Sequence, residues 1–124
     1  MKAVLLVSHG SRSAASKREN LHLAEVLKAR GGFPVVQCAF LEAESPSVPE
    51  GIEACVKQGA SEIVILLNFL NSGNHVLKDI PALVEAAAKN HPGIKFCLTP
   101  PVGIHPGIAD LFLDLIAAAE KKAS

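Results

Sequence analysis

The sequence predicts a doubly wound α/β domain, one unit over residues 1–124, with a four-stranded parallel sheet and helices on both faces. Four short apolar runs alternate with four helical patterns, the signature of strand–helix–strand crossovers. The runs are mostly near-continuous rather than alternating, as suits strands covered on both sides. No linker, low-complexity stretch or internal repeat interrupts the alternation. The economical strand order for such a chain is 2-1-3-4. It reverses direction between strands 1 and 3 and opens a crevice beyond their C-terminal ends.

Each element has its own signal. "AVLLVS" (3–8) is the first strand, and it gives way abruptly to "HGSR". A helix starting near Ala14 or Ala15 places Leu23, Ala24, Val26 and Leu27 on one arc. "VVQCAF" (35–40) is the second strand. "SVPE" (47–50) is a capping box with proline at the first helical position, and Ile52, Cys55, Val56 and Gly59 follow at i, i+3, i+4 and i+7. "EIVILL" (62–67), the most hydrophobic run, is the third strand and the most central. Ile80, Leu83, Val84 and Ala87 repeat the helical spacing until "NHPG" (90–93) stops it. "IKFCLT" (94–99) is the fourth strand. Ile108, Leu111, Phe112, Leu115 and Ala119 mark the last helix, with Pro106 in its first turn.

Composition narrows the function. Hydrophobic residues make up 49%, enough for a filled core rather than disorder, and with five Phe and no Trp or Tyr that core is aliphatic. Twelve basic residues balance twelve acidic ones, which removes the electrostatic footprint of a nucleic-acid or anionic-membrane binder. Cys38, Cys55 and Cys97 show no metal or redox spacing and read as small buried hydrophobes in a reducing compartment. The N-terminal apolar run ends at Ser8 and His9, well short of a secretion signal or of the roughly 20 residues of a membrane span. A soluble cytoplasmic protein is expected.

Two histidines border the predicted crevice. His9 ends strand 1, and the loop "NFLNSGNHVLKD" (68–79) after strand 3 carries His75, with Asn71, Ser72, Gly73 and Asn74 supplying turns and backbone donors. Two neutral imidazoles with open positions between them suit Co²⁺, Ni²⁺, Fe²⁺ or Zn²⁺, held in transit because two ligands are too few for a closed site. The same histidines also read as a strand-end hydrogen-bonding residue and a helix-start residue. Glu42 in "AFLEAESPS" suits metal delivery or proton removal, or is a solvated carboxylate. Arg12 and Lys78 suit gripping an anionic substrate at the cleft mouth, or simple solvation. His105 in "GIHPG" reads as a helix cap or a rim residue; His22 faces outward, and His91 belongs to a helix stop. No GxxxxGK[ST], GxGxxG or GxSxG pattern is present, so neither a nucleotide nor a nucleophilic serine is implied.

In order and spacing, "LLVSHGSR", "AFLEAESPSVPEGI", "FLNSGNHVLKDIPAL" and "PPVGIHPGIADLFL" resemble the small CbiX-type sirohydrochlorin chelatases, which are class II, ATP-independent tetrapyrrole chelatases. The resemblance runs over nearly the whole chain and implies a flavodoxin-like chelatase half. It implies insertion of Co²⁺ into sirohydrochlorin for cobalamin synthesis, with Ni²⁺ or Fe²⁺ as family variants, and it places His9 and His75 on the metal-binding, catalytic pair. It also implies a homodimer, since larger family members hold two such halves in one chain. Two departures stand out: Ser45 where Glu is frequent, and Asn74 where Gly or a basic residue is common. Two other readings suit the same residues, a metal or tetrapyrrole carrier without turnover and a ligand-free regulatory domain.

Overall fold

The computed structural model describes residues 1–73 and 78–123. The elements run β1 (Lys2–Ser8), α1 (Ala14–Gly31), β2 (Val35–Phe40), α2 (Val48–Lys57), β3 (Glu62–Leu67), α3 (Ile80–Asn90), β4 (Lys95–Pro101) and α4 (Ile108–Ala123), with a 3-10 turn at Val102–Ile104. All strands pair in parallel in the order β2-β1-β3-β4, as expected. Short-range chemistry sets the helix ends. The Ser13 hydroxyl accepts from the Ser16 N–H, and Gly32, at φ +69, closes α1 by donating its N–H to the Lys28 carbonyl. At α2 the box closes both ways: the Ser47 N–H donates to Glu50 Oε1 at 2.8 Å, and the Glu50 N–H to Ser47 Oγ at 3.3 Å. The Ser47 N–H first, and the Ser47 hydroxyl second, hold the Glu50 carboxyl below its ordinary pKa.

Some expected boundaries move. Gly59 falls beyond α2, in a turn at φ +94, and Pro106 precedes the first residue of α4 rather than sitting in its first turn. Cys38 and Cys55 are buried, whereas Cys97 is only half-buried. Leu23 stays 38% exposed, and of α1 only Ala24 is fully covered.

Helices lie on both faces, but they cover them unequally. On one face α2 and α3 close over Ala3, Leu5, Val7, Ile63, Ile65 and Leu67, burying Ile52, Cys55 and Ile80 with them. Helix α2 lies close because Gly51 has no side chain: a Cβ there would meet Leu5 Cδ1 at 2.8 Å and Ala39 Cβ at 2.9 Å. The other face buries a smaller group, Leu6, Ala24, Cys38 and Phe40, with Leu27, Val36 and Leu66 partly covered. Strand β1 is therefore buried on both sides from Ala3 to Ser8, whereas β3 alternates between buried and half-open residues and β4 buries only Pro101. Helix α4 buries no residue.

Candidate active site

Hydrogen bonding continues past the strand ends and draws two loops together. The Leu41 N–H donates to the Ser8 carbonyl at 3.1 Å, the Glu42 N–H to the His9 carbonyl at 3.0 Å, and the Asn68 N–H to the Val7 carbonyl at 2.9 Å. Glu42 thus lies beside His9, with Nε2 and Oε1 3.2 Å apart and both side chains at least half exposed. Glycine at position 10 permits this. Its φ is +104, and a Cβ would fall 1.8 Å from the Glu42 carbonyl oxygen. A second tie runs from the Ser11 N–H to Glu44 Oε2 at 2.8 Å, leaving Glu44 Oε1 buried with no hydrogen-bond partner. Burial first, and the nearby Glu44 charge second, raise the pKa of the Cys38 thiol.

A polar cluster underlies His9. Asn68 Nδ2 donates to Ser8 Oγ at 3.1 Å and to Asn20 Oδ1 at 3.2 Å, Ser8 Oγ donates to Asn20 Oδ1 at 3.1 Å, and Asn20 Nδ2 donates to the Ser16 carbonyl. The cluster ties α1, β1 and β3 together one residue below His9. Sequence reasoning missed it. Its signals were a serine ending an apolar strand, an asparagine directly after β3, and an asparagine in α1 four residues before the buried Ala24.

His9 and Glu42 open onto a cavity of about 500 Å³, walled by Leu41, Ala82 and Leu83 and bordered by Asp79 at the start of α3. Asp79 was not anticipated; it occupies the cap position of α3 without a side-chain cap bond. An imidazole nitrogen and a carboxylate oxygen at this separation hold one proton between them or present two donors to a cation. Among the described residues no group of three His, Cys, Asp or Glu gathers to enclose an ion.

The other expected site residues are dispersed. His75 and Asn74 lie outside the described residues. Ser72, Gly73 and Lys78 are exposed. Arg12 lines a separate polar depression with Lys17, Ser13 and Glu44. His105 sits at the turn into α4, its Nδ1 accepting from the Gly107 N–H at 2.9 Å, and lines a groove with Leu66 and Thr99 rather than the His9 cavity.

Comparison with known proteins agrees with this architecture. The chain is 35% identical over 113 residues to the chloroplastic sirohydrochlorin ferrochelatase of Arabidopsis thaliana, covering 91% of this chain and 50% of that one. It is 38% identical over 91 residues to the sirohydrochlorin cobaltochelatase of Methanocaldococcus jannaschii, covering 73% and 64%. Its fold superposes with a TM-score of 0.80 and 36% identity on the sirohydrochlorin chelatase SirB of Bacillus subtilis subspecies spizizenii, solved in complex with cobalt, covering 88% of this chain and 47% of that one. The chain thus spans about half the length of the plant and Bacillus proteins. The CbiX family model matches from residue 3 to residue 119, through all four strands and into α4, so the chain belongs to the CbiX family.

Proposed function

We propose that this protein inserts a divalent metal ion into sirohydrochlorin without ATP, with Co²⁺ as the ion and Ni²⁺ or Fe²⁺ as its alternatives. The observation that carries the reading is His9 Nε2 at 3.2 Å from Glu42 Oε1, at the mouth of the cavity at the sheet's switch point. Relatives named for cobalt and for iron support the reaction class equally. Soft-to-borderline nitrogen donors favour cobalt over magnesium or calcium.

Insertion replaces two pyrrole N–H protons with one M²⁺ and sheds water from the ion. His9 holds the ion beside the ring, with His75 as the second imidazole. Glu42 accepts a pyrrole proton directly or through His9, and the second proton leaves through the partly exposed pair to solvent. Two-donor binding suits a cargo ion, since a full cage would retain it. Arg12 and Lys78 meet the peripheral carboxylates of the tetrapyrrole, with Ser72, Gly73 and Asn74 as further substrate contacts. Leu41, Ala82 and Leu83 present an apolar wall to the macrocycle. The protein works as a homodimer, each copy contributing one CbiX domain. Free cysteines suit the reducing cytoplasm. No helix among the described residues is long and apolar enough to cross a membrane.

The test is an absorbance time course of anaerobic sirohydrochlorin with each ion, with and without protein. One ion should be inserted faster than the uncatalysed rate, and His9→Ala should lower the protein-dependent rate by about 10²-fold or more. A single spectral change stoichiometric with protein, without turnover, would replace the chelatase with a carrier.

A further inference from the structure

His9 borders two cavities, and they lie on opposite sides of the sheet. The one already described is walled by Leu41, Ala82 and Leu83 on the α3 side. The other, of about 360 Å³, opens on the α1 side, between that helix and the ends of β1 and β3. Its helical wall is Ser16, Glu19, Asn20 and Leu23, at i, i+3, i+4 and i+7 of α1. Ser8 and Asn68, the last residue of β1 and the first after β3, line it from the sheet. Among the described residues His9 is the one that borders both cavities, and no Lys or Arg borders the second. One cavity has an aliphatic wall; the other is made mostly of hydroxyls, amides and a carboxylate.

The polar cluster fixes what this second cavity presents. The Ser16 carbonyl can only accept, so the Asn20 atom 3.1 Å from it is Nδ2, and Oδ1 is the Asn20 atom that meets Ser8 and Asn68. That acceptor needs donors opposite it. Asn68 meets it with Nδ2, and the same Nδ2 donates to Ser8 Oγ. Both amide protons of Asn68 are thereby spent, so the atom it has left for a ligand is Oδ1, an acceptor. The exposed Glu19 carboxylate is a second acceptor on the same wall. Such a wall suits a ligand that donates hydrogen bonds and carries positive charge.

A hydrated divalent cation is that ligand: its water shell donates outward, and its charge is attracted to Glu19. A shell of about six waters, at about 30 Å³ each, fills about half of the cavity. We infer that the α1-side cavity is an antechamber for the hydrated metal ion. Glu19 and Asn68 hold the ion through its water shell, and the ion passes to His9 by exchanging water for imidazole. The macrocycle occupies the opposite cavity, so ring and ion reach the imidazole from different sides and neither blocks the other. An ion arriving past Leu41 and Leu83 would instead give up its water against aliphatic carbon, at a large desolvation cost. The inference rests on the chelatase reading for the ion's destination and adds the side from which the ion comes.

Cobalt(III) hexaammine is the probe. Its ammonia ligands do not exchange, so it binds only through outer-shell hydrogen bonds and charge. In a nuclear magnetic resonance titration it should shift the side-chain amide signals of Asn20 and Asn68 saturably. Glu19→Gln should weaken that binding about fivefold or more, whereas Glu25→Gln, on the same helix but outside the cavity, should leave it unchanged. Shifts confined to other acidic surfaces, or equal affinity in Glu19→Gln, would overturn the antechamber. In the insertion assay the hexaammine should compete with Co²⁺ and not with sirohydrochlorin, and Glu19→Gln should raise the KM for Co²⁺ without changing that for sirohydrochlorin. Competition with sirohydrochlorin would put the ion in the other cavity and overturn the inference. Full turnover with Glu19→Gln indistinguishable from wild type keeps the chelatase and removes the antechamber. Hexaammine bound at Asn68 in a protein without turnover keeps the cation site and removes the chelatase.

Discussion

The two faces of the sheet are built differently. Beneath α2 and α3 the packing is aliphatic and closed, with Leu5, Val7, Ile52, Ile63, Ile65 and Ile80 at 0–1% exposure. Beneath α1 the apolar group is small; toward the strand ends it becomes the polar Ser8–Asn20–Asn68 cluster, and across β3 and β4 it stays open. The closed face holds the sheet together. The other holds β1 and β3 in place below His9 and leaves a strip for something else to cover. Stability and site geometry are therefore assigned largely to opposite sides of one sheet, and the His9–Glu42 pair sits at the strand ends where they meet.

Substitution on each face should bring out this contrast. The largest effect is expected on the closed side: Ile52→Ala should cost about 2–5 kcal/mol by urea denaturation, because α2 cannot collapse into the space left against the sheet. The same truncation at Leu115, which is more than half exposed, should cost less than about 0.5 kcal/mol. Equal losses from the two would erase the difference between the faces.

At the strand ends, Gly10→Ala forces a Cβ against the Glu42 carbonyl in a left-handed backbone. It should cost roughly 1–3 kcal/mol and, by displacing Glu42 from His9, lower insertion by about a hundredfold. Unchanged activity would detach catalysis from that contact. Asn20→Ala leaves Ser8 and Asn68 short of a partner and should cost about 1–3 kcal/mol, read by thermal unfolding. A loss near zero would mean that the cluster is an ornament of the open face.

The smallest effects are pH-dependent and concern the closed side. Burial pushes the Cys55 thiol up to about 11, so the folded chain holds that proton more tightly than the unfolded one. This contribution is complete below the unfolded thiol's value of about 8.5 and is lost as the pH rises through 11. Cys55→Ala should flatten the alkaline limb of the stability curve. The Glu50 shift has the opposite sign. Its contribution is present above pH 4.5 and fades as the pH falls below that value, so Glu50→Gln should remove part of the acid limb.

What could be read from the residues themselves was local. Strand spans at 35–40 and 62–67 follow from the short, mostly apolar runs VVQCAF and EIVILL, and the start of α2 from the Ser47–Glu50 box. The order β2-β1-β3-β4 follows from right-handed crossovers on so short a chain. The position of His9 at a strand end was equally plain, because an imidazole interrupts an apolar run. His9 and Glu42 are separated by 33 positions, and their meeting depends on β1–β2 register, on two backbone hydrogen bonds past the strand ends, and on a glycine that makes room for a carbonyl. Arg12 follows His9 by three positions, and the segment between β1 and α1 sets it at a depression of its own with Ser13, Lys17 and Glu44, a placement that its nearness to His9 in sequence does not specify.

The sequence by itself determined which segments become strands and helices, and that one side of each helix is apolar. Those properties depend on residue type and on periods of a few positions. The tertiary structure alone decided which carboxylate faces His9, which polar groups clamp the strand beneath it, and that the apolar stripe of α4 stays exposed among the described residues. A helical period records that a face is to be buried; the surface that buries it is set by distances between elements far apart in the chain, and no local pattern encodes those.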